Sequence, residues 1–394
     1  MCVADPDSDH QPSRGERHVK SKVLIRTLPL ARGNYGGVLQ AFALQSAVRN
    51  LGHSVDTDIS TRLGTRESSK RLITRTASVI LGRPVGFWPK MARKNAATLQ
   101  FIERKMTTVE LFGFGGRLRK SVMAEYSAII VGSDQVWRPD YGDVGSYMLD
   151  FLPAKSDVKR LAYAASFGTD RPEPGLIAVA DNAQRFDRVS VREAAGVELA
   201  QSMWGVEAVQ MPDPTILLDR VQYEAIADTV GSPEGIEREK FYVSSYLLDA
   251  DEYKRDLVDH VGRSFEMSTR RVDQREGAPG SSHVRAGVDE WLRELRHSTI
   301  VVTDSFHGCV FALIFNKPFL AIGNAARGMS RFESLLSTFD LDSRLLVSTL
   351  DSSQNRRRAD VILNSSIDWE SVNQTLASLQ GQGMDFLRGA LASE

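Results

Sequence analysis

The chain has 394 residues, of which 42% are hydrophobic and 25% charged, and its formal net charge is −1. This length exceeds that of one ordinary core and favours two domains, whereas the near-neutral charge speaks against nucleic-acid binding, so any anion site must be local. The two cysteines, Cys2 and Cys309, favour a reducing compartment over a disulfide framework, which makes the cytoplasm the expected location. The sequence has no apolar run of about 18 residues, so no spanning helix is expected.

The N-terminal half of the sequence predicts a disordered tail followed by an α/β domain. Residues 1–20 are polar and charged and lack the apolar core of a signal peptide. Residues 23–25 predict a strand, residues 35–51 a helix and residues 53–58 a second strand, which together form a βαβ unit. Further short strands are predicted at residues 128–131, 161–164, 189–191 and 209–211. We place this domain at residues 21–225.

The C-terminal half continues the alternation of strands and helices. Strands are predicted at residues 241–243, 299–303 and 319–322, and helices at residues 251–261, around 291–295, from about Cys309 and at 332–341. We place a linker at residues 224–239, a second domain at 240–365 and a C-terminal helix at 366–394. The predicted fold class is therefore α/β, with two doubly wound, Rossmann-like domains that face a central cleft.

Residues 66–95 combine Lys and Arg with Ile, Leu, Phe87 and Trp88. This composition fits a basic insertion packed on the first domain, and it also fits a segment that lies on an anionic membrane surface. Both alternatives stay open. The second would give at most a peripheral contact with the inner face of the membrane.

The first candidate binding segment is Asn34, Tyr35, Gly36 and Gly37, which follows a strand and opens a helix. Unpaired backbone N–H groups at a helix start can hold an anion or a sugar hydroxyl, and glycine allows close approach of a ligand to the backbone. The alternative is that the glycine pair serves only the geometry of the turn.

Polar side chains also follow the predicted strand at residues 128–131, where α/β proteins present ligand groups. They include Asp134, Gln135 and Trp137. Asp134 has the chemistry of a base toward a hydroxyl group, and equally that of a cap for a following helix.

The strand at residues 189–191 ends in Arg192. The planar guanidinium of arginine suits a carboxylate or a phosphate. The alternative is a salt bridge with a neighbour such as Glu193.

The sharpest local signal is the hexapeptide TDSFHG at residues 303–308, which completes a predicted strand. His307 is expected at the cleft, where an imidazole can exchange protons near neutral pH, and Gly308 lets a helix start close to the strand. A structural histidine is the alternative. Asp, Ser and His this close in sequence rarely form a nucleophilic triad, so a hydrolase is disfavoured.

Arg327 and Arg331 follow the next predicted strand and either add cations to the same cleft or lie solvated on the surface. The sequence lacks zinc-type Cys and His spacing, a P-loop and a complete Gly-x-Gly-x-x-Gly after a strand. Metal, nucleoside triphosphate and NAD chemistry therefore lose support, and no metal or cofactor is expected.

Taken in order, six segments resemble the polysaccharide pyruvyl transferase family across about residues 23–345. They are residues 34–40 (NYGGVLQ), 131–137 (VGSDQVW), 163–168 (YAASFG), 190–192 (SVR), 213–215 (DPT) and 304–308 (DSFHG). The resemblance implies an enzyme that uses phosphoenolpyruvate to place a cyclic pyruvate ketal on a sugar of a polysaccharide or its precursor. It also implies a GT-B-like pair of Rossmann-like domains.

The resemblance places the family's strand-end arginine at Arg192 and its histidine at His307, and both are expected to take part in catalysis. Asp134 is our candidate for orienting or deprotonating the acceptor hydroxyl. Several members carry an arginine two residues before the histidine, where this sequence has Ser305, and we hypothesise that Arg331 or Arg327 replaces it. Donor contacts are expected from Arg192, Ser305, His307, Gly308, Arg327 and Arg331. Acceptor contacts are expected from Asn34, Tyr35, Gly36, Gly37, Gln135 and Trp137.

Two other functions stay open. A GT-B-type glycosyltransferase that uses a nucleotide-activated sugar has the same architecture. A non-catalytic sugar- or phosphate-binding protein would tolerate the loss of His307. The expected partners are phosphoenolpyruvate and a sugar acceptor, whose attachment to a lipid is left open.

Overall fold

The computed structural model describes residues 22–30, 33–62, 94–229, 241–274, 285–323, 328–347 and 351–392. The predicted tail at residues 1–20, nearly all of the basic segment at residues 66–95, and Arg327 lie outside the described residues. The described chain forms two sheets, and every pair of neighbouring strands in both sheets is parallel.

The first sheet has seven strands in the order β3-β2-β1-β4-β5-β6-β7. They are β1 (Lys22–Arg26), β2 (Ser54–Asp58), β3 (Thr108–Val109), β4 (Ala128–Val131), β5 (Lys159–Ala165), β6 (Arg188–Val191) and β7 (Val209–Gln210). The first six strands follow the strand order of dinucleotide-binding Rossmann folds, which reverses direction between β1 and β4.

The second sheet has five strands in the order β12-β11-β10-β8-β9. They are β8 (Tyr242–Tyr246), β9 (Ser268–Arg271), β10 (Ile300–Thr303), β11 (Phe319–Ile322) and β12 (Leu345–Leu346). This arrangement is the other common doubly wound order, which is that of flavodoxin-like folds, and its direction reverses between β8 and β10.

Fourteen helices accompany the sheets in the described ranges. The first eight are α1 (Tyr35–Asn50), α2 (Ala96–Lys105), α3 (Lys120–Met123), α4 (Val144–Tyr147), α5 (Pro174–Ile177), α6 (Ala180–Ala183), α7 (Ala194–Trp204) and α8 (Arg220–Ala227). The others are α9 (Glu252–Ser264), α10 (Val288–His297), α11 (Phe306–Ile314), α12 (Ser330–Thr338), α13 (Ser352–Asn364) and α14 (Trp369–Leu391). None of these helices is both long and apolar enough to span a bilayer.

The apolar runs explain why the central strands form where they do. All four residues of β4 and all four of β10 are buried, because helices cover both faces of a parallel sheet. The helix ends carry recognisable stop and start residues: Gly205 ends α7 in a left-handed conformation, and the Asp368 carboxylate accepts two backbone N–H groups at the start of α14.

Two details differ from the sequence-based expectations, and a third, the packing of the C-terminal helix, was not addressed by them. The helix expected from about Cys309 begins at Phe306, because the Ser305 side chain caps it. The start of the predicted linker, at residues 224–227, lies in α8, which the capping interactions of Asp219 begin. The last helix, α14, packs its C-terminal half on the first sheet, where Leu387 and Leu391 join the core.

One hydrophobic core crosses between the two sheets. It joins side chains of α1, from the first domain, to side chains of α10 and α11, from the second. Tyr35 stacks on Trp291 with a centroid separation of 5.4 Å, and the Tyr35 hydroxyl donates a hydrogen bond of 2.8 Å to the carbonyl of Ala286. The relative position of the two sheets is therefore held by packing as well as by chain connection.

Truncation of this aromatic contact should destabilise the protein strongly. We expect Tyr35→Ala to lower the free energy of unfolding by about 3 to 5 kcal/mol, because a fully buried ring is lost from a packed core. Tyr35→Phe, which removes only the hydrogen bond to Ala286, should lower it by about 1 kcal/mol. Urea unfolding measures both values, and equal losses for the two variants would contradict a dominant contribution from ring packing.

Candidate active site

A cavity of about 480 Å³ lies where the carboxyl ends of strands from both sheets meet. Its wall comes from the segments that follow β1, β4, β8 and β10, and from the starts of α1 and α12. The wall residues with side chains suited to binding or proton transfer are Asn34, Asp134, Gln135, Arg138, Tyr141, Asp249, Asp304, Ser305, His307 and Arg331. Doubly wound domains present ligand groups at this edge, so the cavity is the candidate site.

Behind the cavity, the Asp213 carboxylate joins groups from four different strand ends. One oxygen, Oδ2, accepts hydrogen bonds from Ser133 Oγ at 3.0 Å and from Arg192 Nη1 at 2.9 Å, and it lies 3.4 Å from His307 Nε2. The other oxygen accepts the backbone N–H and the hydroxyl of Thr215. His307 belongs to the second domain, so this carboxylate also connects the two domains.

The charge state of Asp213 follows from these contacts. The side chain is fully buried, and burial alone would raise the pKa of its carboxyl. His307 and the Arg192 guanidinium nevertheless hold this pKa well below its usual range. Asp213 is therefore a carboxylate throughout the physiological pH range.

The His307 ring is clamped between Asp213 and the first turn of α1. A Cβ atom added to Gly36 would lie 2.0 Å from Nδ1 of His307, which is closer than atoms can approach. Gly36 is thus required for the imidazole to occupy its position. Gly36, the first glycine of this candidate segment, therefore packs against His307 as well as standing at a helix start.

Arg192 does not line the larger cavity, because the Phe306 ring covers its guanidinium. Its guanidinium carbon lies 4.5 Å from the centroid of the Phe306 ring, and its side chain is 3% exposed. Arg192 lines a smaller space of about 140 Å³, which shares Phe306 and Arg331 with the larger cavity. The main ion-pair partner of Arg192 is Asp213 at 2.9 Å, whereas Glu193, the partner considered from the sequence, lies at 4.0 Å.

Two other arginines line the larger cavity itself. Arg331, in the first turn of α12, lies with its guanidinium carbon 5.8 Å from the Phe306 centroid. Burial and the neighbouring Arg192 cation lower the pKa of Arg331 to about 10, so it stays charged at neutral pH. Arg138, which follows β4, stacks on Tyr141 at 4.8 Å. The cavity therefore has a cationic side formed by both domains.

Asp134 occupies the cavity wall in a strained backbone conformation. Its φ is +78°, a left-handed value that is uncommon for residues with a side chain. The Asp134 carbonyl accepts hydrogen bonds from Val136 and Ser166, and these contacts help to keep the backbone in this conformation. No α-helix starts at Gln135, so the expectation that Asp134 caps a following helix is wrong.

Most polar atoms of residues 303–308 make hydrogen bonds that fix the backbone of this segment and of its neighbours. The Asp304 carboxylate accepts the backbone N–H groups of Leu248 and Asp249 and the ammonium of Lys254, and so fixes the segment after β8. Ser305 caps α11 through the N–H of Gly308. A side chain at Gly308 would collide with Thr303, so this glycine lets the helix start against the strand.

The residues considered for acceptor binding separate into two groups. Asn34, Gly37 and Gln135 line the cavity. Tyr35, Gly36 and Trp137 do not. Gly36 lies against His307, and the rings of Tyr35 and Trp137 are buried in aromatic clusters, Trp137 against Phe167 and Trp204. We assign these two rings to packing rather than to acceptor contact.

Sequence reasoning did not identify the roles of Asp213 and Arg138. Asp213 stands in the quoted segment DPT, and an acidic residue between two prolines, three positions after the end of β7, was the available signal. Arg138 had no comparable signal, because only the path of the chain after β4 brings it to the cavity. Among the described residues, no group of three or more His, Cys, Asp or Glu side chains is placed to hold a metal ion.

Comparison with protein families gives one match that covers most of the chain. The model of the polysaccharide pyruvyl transferase family matches residues 34–325. This range begins at Asn34 and contains all the described cavity residues named above except Arg331. No curated protein matches the chain.

Solved structures share the architecture at low sequence identity. A protein assigned as a UDP-N-acetylglucosamine 2-epimerase from Listeria monocytogenes is 12% identical, with 94% of each chain covered and a TM-score of 0.51. The N-terminal domain of Candida albicans trehalose-6-phosphate phosphatase is 12% identical, with 96% of this chain and 98% of that chain covered and a TM-score of 0.50. At this identity the likeness shows the fold alone, which is GT-B-like.

The stabilising effect of Asp213 should depend on pH in a defined direction. Because the folded state depresses the carboxyl pKa, the stabilisation is complete above the unfolded pKa of about 3.9 and is lost as the pH falls further, toward the folded pKa. We expect Asp213→Asn to lower the free energy of unfolding by about 3 kcal/mol at pH 7, with a smaller difference from the parent at pH 3.

Urea unfolding of parent and variant at both pH values measures this change. Asp385→Asn, at an ion pair on the surface of α14, is the matched control and should change stability little at either pH. A loss for Asp213→Asn that is the same at pH 7 and pH 3 would show that the carboxylate charge is not its source.

Proposed function

Because the chain belongs to the polysaccharide pyruvyl transferase family, we propose that it transfers the enolpyruvyl group of phosphoenolpyruvate to two hydroxyls of one sugar. The product is a cyclic pyruvate ketal on a polysaccharide or its precursor, and phosphate is released. The donor carries its own leaving group, so the reaction requires no further cofactor. Phosphoenolpyruvate is an intracellular metabolite, which fits action in the cytoplasm.

The observation that carries this proposal is the placement of Arg331, His307 and Asp134 in the wall of one cavity. Phosphoenolpyruvate brings a carboxylate and a phosphate, so its site needs fixed cations. Arg331 lies in the same cavity wall as Ser305, the position at which several members of the family carry an arginine, and we propose that Arg331 supplies this charge. Arg138 adds a second cation beside the acceptor-side residues.

The proposed reaction has two stages. A proton is added to the methylene carbon of the donor, which becomes a methyl group, and a sugar hydroxyl attacks the cationic carbon C2 and loses its proton. The C–O bond to phosphate then breaks, and a second hydroxyl attacks C2 and closes the ketal, while its proton leaves with the phosphate. Two hydroxyl protons are lost, one proton is gained by carbon and the other by phosphate, so the reaction balances.

Each residue has a role in this scheme. His307 is the proton donor or acceptor, since an imidazole can act in both directions near neutral pH. Asp213 positions the His307 ring through Nε2. Asp134 accepts a proton from, or orients, the attacking hydroxyl. Asn34 and Gln135 contribute hydrogen bonds to the sugar from the other side of the cavity.

Incubation with phosphoenolpyruvate and a panel of hexose glycosides tests the proposal. We expect phosphate release that depends on an acceptor, together with an acceptor mass increased by phosphoenolpyruvate minus phosphoric acid. A nucleoside diphosphate released from a sugar nucleotide, with no phosphate from phosphoenolpyruvate, would instead identify the glycosyltransferase alternative. Activity retained by both His307→Ala and Arg331→Met would refute the assigned site.

Arg331→Met should lower the enzymatic activity without lowering the stability of the fold. We expect kcat/KM for phosphoenolpyruvate to fall at least about 100-fold, because a fixed cation is removed from the donor site. The melting temperature should not fall, since burial already disfavours the charged form of Arg331 and a methionine of similar length fills the space. Arg358→Met, at an exposed position of α13, is the control and should change neither quantity.

Gly36→Ala should impair turnover by displacing His307. The added methyl group occupies the place of the imidazole, so we expect kcat to fall at least about 100-fold while the chain remains folded. Gly389→Ala is the matched control, because it places the same methyl group in α14, where no atom lies within 4 Å. Steady-state kinetics with circular dichroism measures both variants. Unchanged kcat in Gly36→Ala would contradict a role for the observed ring position.

A further inference from the structure

A short hairpin at residues 111–119 follows β3 in the first domain. The backbone pairs Phe112 with Leu118 in an antiparallel bridge, and the Arg119 N–H donates to the carbonyl of Leu111 at 2.9 Å. The tip of this hairpin is the sequence Gly113-Phe114-Gly115-Gly116-Arg117, with Gly115 and Gly116 at φ of +71° and +70°. These positive φ values favour glycine and make the turn tight.

The base of the hairpin is firmly attached to the sheet edge. The backbone N–H of Leu111 donates to the Asp58 carboxylate at 3.1 Å, and the N–H of Phe112 donates to Ser60 Oγ at 2.9 Å. The buried Phe112 ring packs edge-to-face on Phe151 and under the Arg26 guanidinium. The hairpin is therefore an ordered projection of the domain.

The tip has an exposed aromatic ring in a basic setting. The Phe114 side chain is 55% exposed, and its neighbours at the tip are three glycines, so the ring is the one apolar side chain there. Arg117 and Lys120, which follow Phe114 closely in the sequence, are exposed. Arg119 pairs with Glu110 at 2.9 Å, so this carboxylate offsets the Arg119 charge rather than those of Arg117 and Lys120.

We propose that this hairpin tip docks on an anionic membrane surface. An aromatic ring partitions into the boundary between head groups and acyl chains, and basic side chains beside it pair with anionic head groups. The glycines let the ring enter without carrying other polar side chains with it.

The position of the hairpin in the fold connects the proposed membrane contact with the candidate active site. Asp58, which anchors its base, is the last residue of β2, so the hairpin lies at the carboxyl edge of the first sheet. The same edge carries Asn34 and Asp134 in the cavity wall. Docking through Phe114 would hold the cleft close to acceptors attached to lipid. The membrane contact itself does not depend on the transfer chemistry and is measured without donor or acceptor.

Sedimentation of the full chain with vesicles tests the proposal. We expect binding to vesicles of phosphatidylcholine and phosphatidylglycerol in a ratio of about two to one, and clearly weaker binding to phosphatidylcholine alone. Phe114→Ser should weaken binding to the anionic vesicles about tenfold. Arg117→Glu combined with Lys120→Glu should weaken it at least about tenfold and reduce its dependence on salt.

Phe241→Ser is the matched control, because Phe241 is 65% exposed on the second domain and should not affect vesicle binding. No binding of the parent to anionic vesicles would overturn the proposal, as would equal binding by the parent and Phe114→Ser. A concentration-dependent dimer that Phe114→Ser abolishes would assign the tip to a contact between copies instead. Loss of pyruvyl transfer in solution is not expected for Phe114→Ser, so this result and the functional test can be read separately.

Discussion

The Asp213 carboxylate is the interaction on which the arrangement of the site depends. A fully buried carboxylate is costly unless charge and hydrogen bonds compensate it, and here Ser133, Thr215, Arg192 and His307 all contribute. These partners stand at the ends of different strands, and His307 comes from the other domain. Electrostatic compensation of one side chain therefore requires several strand ends and both domains to be in place together.

The same principle recurs around the cleft in three other acidic residues. Asp58 accepts the backbone N–H of Leu111, which follows β3. Glu193 accepts the N–H groups of Phe167 and Gly168, and Asp304 accepts those of Leu248 and Asp249. Parallel sheets end in loops whose N–H groups lack ladder partners, so carboxylates at these ends fix the loops.

The cationic groups of the cleft separate into two kinds by their surroundings. Arg192 is committed to Asp213 and lies under the Phe306 ring, whereas Arg331 and Arg138 line the larger cavity directly. An arginine that balances a buried carboxylate supports the site, and an arginine in the cavity wall can meet an anionic ligand. Ser305 is used as a helix cap, and another helix, α12, brings the Arg331 guanidinium to the same wall.

The local sequence was sufficient to predict the α/β class, most central strands and the family. Buried parallel strands and short motifs at strand ends each consist of neighbouring residues, so they can be recognised without knowledge of the fold. Residues 128–131 and 319–322 match β4 and β11 in full. The start of α11 was misplaced because the cap is a single serine. Only the tertiary structure showed that Asp213 contacts His307 and that Phe306 covers Arg192. It also showed that Tyr35 and Trp137 pack in the core and that Arg138 reaches the cavity. Each of these depends on distance between segments far apart in the chain, which local periodicity and motif spacing do not encode.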